Sequence, residues 1–165
     1  MINDDLDRIL IDREAIAARV RALAAEVAGA YADQPGGLTL VPVLSGSIIF
    51  LADLIRELPL RMKVALVHVS TYPGSATTPQ TQRVVLELSG DVTDRNVLIV
   101  DDILDSGKTL RRVQAMVRER GARSVRSIVL LRKPSKAPPD VPVLSLIHIS
   151  EPTRLLSISY AVFCL

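Results

Sequence analysis

Three aspartates, Asp101, Asp102 and Asp105, close the apolar run Val97 to Val100 and precede Ser106-Gly107-Lys108-Thr109. An apolar run ending in paired acids reads as a buried strand that delivers carboxylates to its carboxyl end, where open α/β sheets place ligands. Adjacent strand residues point to opposite faces, so at the strand's end Asp101 and Asp102 can splay. Two carboxylates there can accept hydrogen bonds from vicinal hydroxyls or hold Mg²⁺ through oxygen. Next comes a helix start, whose backbone N–H groups, with the hydroxyls of Ser106 and Thr109 beside them, form an anion site for a phosphate. Gly107 lets the backbone approach that anion closely. Turn and N-cap duty would explain one such aspartate easily, but three closing a buried strand less well.

Two hydroxyls at one end and a dianion at the other describe a ribose 5-phosphate. A triphosphate-binding loop is the rival, since Gly107-Lys108-Thr109 copies its ending. That motif needs a glycine five positions before Gly107, and Asp102 stands there instead. A carboxylate inside a triphosphate cradle would repel the ligand.

The run VLIVDDILDSGKTL, Val97 to Leu110, resembles the motif of the type I phosphoribosyltransferases, in particular the hypoxanthine-guanine branch. The likeness extends from about Leu40 to Pro134. It implies that Asp101 and Asp102 bind the ribose hydroxyls of phosphoribosyl pyrophosphate, directly or through Mg²⁺. It implies a 5-phosphate site at Asp105, Ser106, Gly107, Lys108 and Thr109. Relatives often carry Glu where Asp101 stands. The 6-oxopurine enzymes carry Asp where Asp105 stands, and a carboxylate beside the purine N7 can take up its proton as a bond forms at N9. Lys133 matches the lysine that contacts the purine 6-oxo group. Leu44-Ser45-Gly46-Ser47 matches the pyrophosphate loop, although many relatives have Lys or Arg at Ser45. Ser70, Thr71 and Tyr72 match the start of the catalytic lid, which would continue through Pro73 to Gln82 and exclude water from the reacting sugar.

The resemblance thus implies Mg²⁺-dependent transfer of a 5-phosphoribosyl group to N9 of hypoxanthine or guanine, with release of pyrophosphate. It also implies a homodimer or homotetramer. A regulator that senses phosphoribosyl pyrophosphate is the alternative from another class, and an inactive truncated fragment is a third. Regulators of that kind usually carry an added nucleic-acid-binding module, and the sequence shows no extra domain for one.

These residues need a frame. Ile16, Val20, Leu23 and Val27 recur at helical spacing, with Asp12 as N-cap before them and Pro35-Gly36-Gly37 after them. Leu38 to Leu44 reads as a buried strand, although it contains Pro42. Ile48 to Leu58 reads as a helix, Val64 to Thr71 and Arg83 to Leu88 as strands, and Asn96 to Val100 as another. Lys108 to Arg120 is expected to be a helix with Leu110, Val113 and Val117 inward and Gly121 closing it. Ser124 to Leu131 is a further strand. His68 is expected in the core, and Arg83 is expected to be solvated. Strands alternating with helices predict an α/β fold: a mostly parallel twisted sheet with helices on both faces.

The bulk numbers agree with one soluble domain. The chain has 165 residues, 48% of them hydrophobic, and a net charge of +2 that argues against nucleic acid as a partner. The acidic start and the lack of a long apolar run point to a cytoplasmic protein with no membrane partner. A single cysteine, Cys164, cannot form an intramolecular disulfide. Composition shifts at the end. The segment 144–165 holds Tyr160, Phe163, Cys164 and His148, but no Val-Gly-Tyr-Gly and no Asp. The family has there an aromatic ring that stacks on the purine and an Asp that binds Mg²⁺. Residues 1–143 are therefore read as the phosphoribosyltransferase domain. Residues 144–165 are read as an atypical tail, similar to translated sequencing-adapter sequence, which leaves the hood over the base incomplete.

Overall fold

The computed structural model describes residues 11–72, 83–133, 136, 143 and 147–148. Helix α1 (Arg13–Tyr31) opens this part of the chain, and the Asp12 carboxylate accepts the Ala15 N–H at 2.7 Å as its N-cap. Strand β1 (Leu38–Leu44) and helix α2 (Ile48–Glu57) follow. Then come β2 (Met62–Val64), β3 (Val67–Tyr72) and β4 (Arg83–Leu88). The last elements are β5 (Asn96–Leu104), α3 (Lys108–Glu119), β6 (Ser124–Arg132) and β7 (Ile147–His148). The sheet order is β4-β3-β1-β5-β6-β7, with β2 also on β1, and every pair is parallel except β3–β4.

Strand alternation sorts the core into two layers. Leu38, Leu40, Leu98, Val100, Ile128 and Leu130 pack against α1 and α2. Val41, Val43, Val97, Ile99 and Val129 pack against Leu110, Val113 and Val117 of α3. The sheet is therefore covered on both faces, as α/β patterning predicts.

Three expectations need correction. The strand expected over Val64 to Thr71 is two strands, β2 and β3, broken at Ala65 and Leu66. This break explains how Pro42 sits in a central strand. The Leu40 carbonyl faces this side and accepts the Ala65 N–H at 3.0 Å, and Pro42, two residues on, faces the same way. There β2 has ended and β3 begins its pairing only at Val43, so the missing N–H leaves no ladder bond unmade. His68 is exposed and not in the core, because alternation turns it away from buried Val67. The strand expected to stop at Val100 continues to Leu104, paired along β6 through Ile103 and Leu104.

At the amino ends of the strands, Arg95 donates to Thr39 Oγ1 and the Leu38 carbonyl, both at 3.1 Å, and Asn96 donates to the Pro35 carbonyl at 2.6 Å. The carboxyl ends open into a cleft.

Candidate active site

The cleft holds about 310 Å³. Its floor is Asp101 to Leu110, and its walls are Val43 and Leu44 at the end of β1, Gly46 just after it and Val69 of β3. Every residue expected to hold ribose 5-phosphate lies here, from Asp101 and Asp102 to Asp105, Ser106, Gly107, Lys108 and Thr109.

Asp101 and Asp102 do not splay. Both line the one cleft, because face alternation fails at this point of β5. Leu98 and Val100 face α1 and α2, yet Ile103 packs on that layer too, and Leu104 on the opposite one. The carboxylates turn back on the backbone: Asp101 Oδ1 accepts the Asp102 N–H at 3.1 Å, and Asp102 Oδ1 accepts the Ile103 N–H at 2.8 Å. Burial, then the neighbouring Asp102 charge, push the Asp101 carboxyl up to about 8, and a side-chain hydrogen bond between the two adds to this. Asp101 held this way favours its protonated form until a cation or a set of donors arrives.

Gly107 is the N-cap of α3 and has φ 71°, the left-handed region that glycine enters without strain. No side chain caps this helix and its first turn carries no acid, so the first-turn N–H groups are left to an anion in the cleft.

The pyrophosphate-loop expectation divides among its residues. Gly46 lines the cleft, whereas Ser45 and Ser47 do not. Ser47 is fully buried, and its hydroxyl donates to the Val43 carbonyl at 2.7 Å, so that side chain serves the fold. The Leu44–Ser45 peptide is cis. Gly46 has a function that the sequence did not show. A Cβ placed on it would collide with the Asp102 carboxylate, 2.9 Å from Cγ. Gly46→Ala is therefore expected to displace the Asp102 carboxylate and lower kcat/KM for phosphoribosyl pyrophosphate by about 10-fold or more. Steady-state kinetics check this, and a wild-type value would show that the carboxylate position is not critical.

Lys133 follows β6 where Asp105 follows β5. Its N–H donates to the Leu104 carbonyl at 3.1 Å, and its Nζ lies 4.0 Å from Asp105 Oδ2. Asp105 Oδ1 is buried and has no hydrogen-bond partner among the described residues. Ser70, Thr71 and Tyr72 end β3, paired with Val85, Val84 and Arg83 of β4, so these strands are the two arms leading to segment 73–82. That segment, expected as the lid, lies outside the described residues. So does most of the tail, although Ile147–His148 pair with Leu131 and Arg132 and extend the sheet.

The segment that carries the acidic pair and the glycine-capped helix start lies within a stretch that matches known proteins. Residues 8–156 match the phosphoribosyl transferase domain. The chain belongs to the phosphoribosyl transferase family. It is 35% identical over 135 residues to hypoxanthine phosphoribosyltransferase of Salmonella typhimurium, covering 82% of this chain and 76% of that protein. It is 33% identical over 141 residues to the hypoxanthine-guanine phosphoribosyltransferase of Bacillus subtilis, covering 86% of this chain and 77% of that one. The fold superposes on the crystal structure of a hypoxanthine phosphoribosyltransferase from Staphylococcus aureus with TM-score 0.77 and 26% identity, over 94% of this chain and 84% of that chain. As a phosphoribosyl transferase domain, the chain has its cleft at the carboxyl ends of parallel strands, where this architecture places ligands.

Among the described residues no group of three or more acids, histidines or cysteines could hold a metal, and no helix is long and apolar enough to cross a membrane.

Proposed function

We propose that this phosphoribosyl transferase moves a 5-phosphoribosyl group from phosphoribosyl pyrophosphate to N9 of hypoxanthine or guanine and releases pyrophosphate. The observation that carries the reading is the Asp105–Lys133 pair at the mouth of the phosphate turn. A carboxylate and an ammonium side by side match the N7–H donor and O6 acceptor on one edge of a 6-oxopurine. Adenine presents an amine where O6 would be, and an ammonium has no acceptor to offer it.

The roles follow from position. The N–H groups at Gly107 to Thr109 and the hydroxyls of Ser106 and Thr109 hold the 5-phosphate. Asp101 and Asp102 take the ribose hydroxyls. Mg²⁺ fits the same pair, since hard carboxylate oxygens suit it and a cation would offset the burial and the neighbouring charge that keep Asp101 protonated. With only two protein carboxylates at hand, its remaining positions would fall to substrate oxygens and water, and when bound it would supply charge neutralisation for the diphosphate. Backbone N–H groups around Gly46 face the leaving pyrophosphate. As the C1–O bond to pyrophosphate breaks and the C1–N9 bond forms, Asp105 accepts the N7 proton. Lys133 holds O6, so the base is oriented before it reacts. Ser70, Thr71 and Tyr72 lead into the lid that excludes water. The protein works in the cytoplasm as a homodimer or homotetramer. Residues 1–143 carry the domain, and the tail from Leu144 does not supply the ring that would stack on the purine.

The experiment mixes protein, Mg²⁺ and phosphoribosyl pyrophosphate with hypoxanthine, guanine, xanthine or adenine and follows nucleotide formation. Product with 6-oxopurines and none with adenine is expected. Product with adenine alone would overturn the assignment. If none forms with any base, grafting a family C-terminus at Leu144 tests whether the tail is the cause.

A further inference from the structure

Two buried polar side chains meet across the largely apolar layer between α3 and the sheet. Gln114, 4% exposed, donates from Nε2 to Ser127 Oγ at 2.9 Å, and Ser127 on β6 is 1% exposed. Around them pack Leu110, Val113, Val117, Val97, Ile99 and Val129. Contacts among such side chains are non-directional, and small sliding or rotation of the helix changes their sum little. A hydrogen bond is directional and weakens within a few tenths of an ångström. At the far end of α3, Arg120 donates to the Leu88 carbonyl at 3.2 Å and steadies that terminus. The near end is the Gly107 turn, where no side-chain cap fixes the helix.

We propose that the buried Gln114–Ser127 hydrogen bond is a positioning device. It fixes the axial setting of α3 on β6 and thereby the place of the first-turn N–H groups that bind the 5-phosphate. The inference rests on reading the Gly107 turn as the phosphate cradle. Neither residue touches the cleft. A buried polar pair that sets register, at no gain in stability over an apolar pair, is a known use of such groups. A shift of about 1 Å at the helix start is enough to impair a site built from backbone donors.

The test compares wild type, Gln114→Leu, Ser127→Ala and the double variant. Thermal unfolding is read beside binding of ribose 5-phosphate by calorimetry, and nucleotide formation is followed with the wild type. Each single variant leaves one polar group unpaired and is expected to lose stability, whereas the double variant has none and regains it. The double variant is expected to bind ribose 5-phosphate about fivefold or more weakly in spite of its restored stability. Affinity that returns with stability would reduce the pair to packing and overturn the inference. So would a wild type that does not bind ribose 5-phosphate. A wild type that binds it but forms no nucleotide, even after a family C-terminus is grafted at Leu144, would sink the transferase reading and leave the positioning result standing.

Discussion

Asp105→Asn is expected to lower kcat with hypoxanthine about 100- to 1,000-fold, within the range that a positioned general base supplies. The amide keeps the shape of the side chain but cannot accept the N7 proton. On the proposed assignment the 5-phosphate is held by backbone N–H groups and by Ser106 and Thr109, so KM for phosphoribosyl pyrophosphate should change by only a few-fold. Stability should barely move. The contact to Lys133 is 4.0 Å long with Asp105 about half exposed, and ion pairs of that kind contribute at most about 1 kcal/mol. Initial rates with both substrates varied, and a melting curve, separate these effects. An Asn variant that keeps its kcat would remove Asp105 from the chemistry and leave it as a turn residue.

Asp101→Asn should move stability and activity in opposite directions. The Asp101 carboxyl is pushed up from 3.8 to about 8 by burial and by the charge of Asp102. Below the lower value both folded and unfolded chains hold the proton, and nothing is lost. Between the two values the unfolded chain has ionised while the folded one keeps its proton, so stability falls as pH rises. Above the upper value the folded chain bears the whole cost of a buried charge at Asp101. Asparagine carries none of it. The variant should therefore melt higher than wild type near pH 9, by about 5 °C for a gain of order 2 kcal/mol, with the gap closing toward pH 4. The same variant should bind Mg²⁺–phosphoribosyl pyrophosphate about 10-fold or more weakly, because the ribose hydroxyls and the cation lose a carboxylate. Melting at the two pH values and a titration with substrate read both halves. A variant less stable than wild type at high pH would mean that the carboxylate is favourably partnered in the free protein.

Such opposed effects mark a site assembled for a ligand, and the same conflict is visible elsewhere in the cleft. Asp105 Oδ1 goes without a donor, and α3 begins without a capping side chain. Each is unfavourable in the free chain and favourable once a donor or an anion is present.

The sequence by itself determined the features that depend on neighbours along the chain. Asp101 to Thr109 are contiguous, so the carboxylates, the hydroxyls, the glycine and the helix start could be read as one ribose-phosphate site. Helical spacing placed Ile16, Val20, Leu23 and Val27 of α1 inward, and Leu110, Val113 and Val117 of α3, all of which are buried. Asp12 caps α1 for the same local reason. The tertiary structure decided whatever depends on which strands lie side by side. Gly46 meets Asp102 because β1 and β5 are neighbours in the sheet, and Lys133 meets Asp105 because β5 and β6 run parallel in register. Pro42 is tolerated because two different strands share one side of β1, and Gln114 finds Ser127 across the α3–β6 layer. The acidic pair shares one cleft because strand alternation fails after Val100, a distortion no periodicity predicts. Local pattern specifies elements and short loops. Pairings between distant segments are fixed only when the whole core packs, and there the chemistry proposed for this cleft finds its second partners.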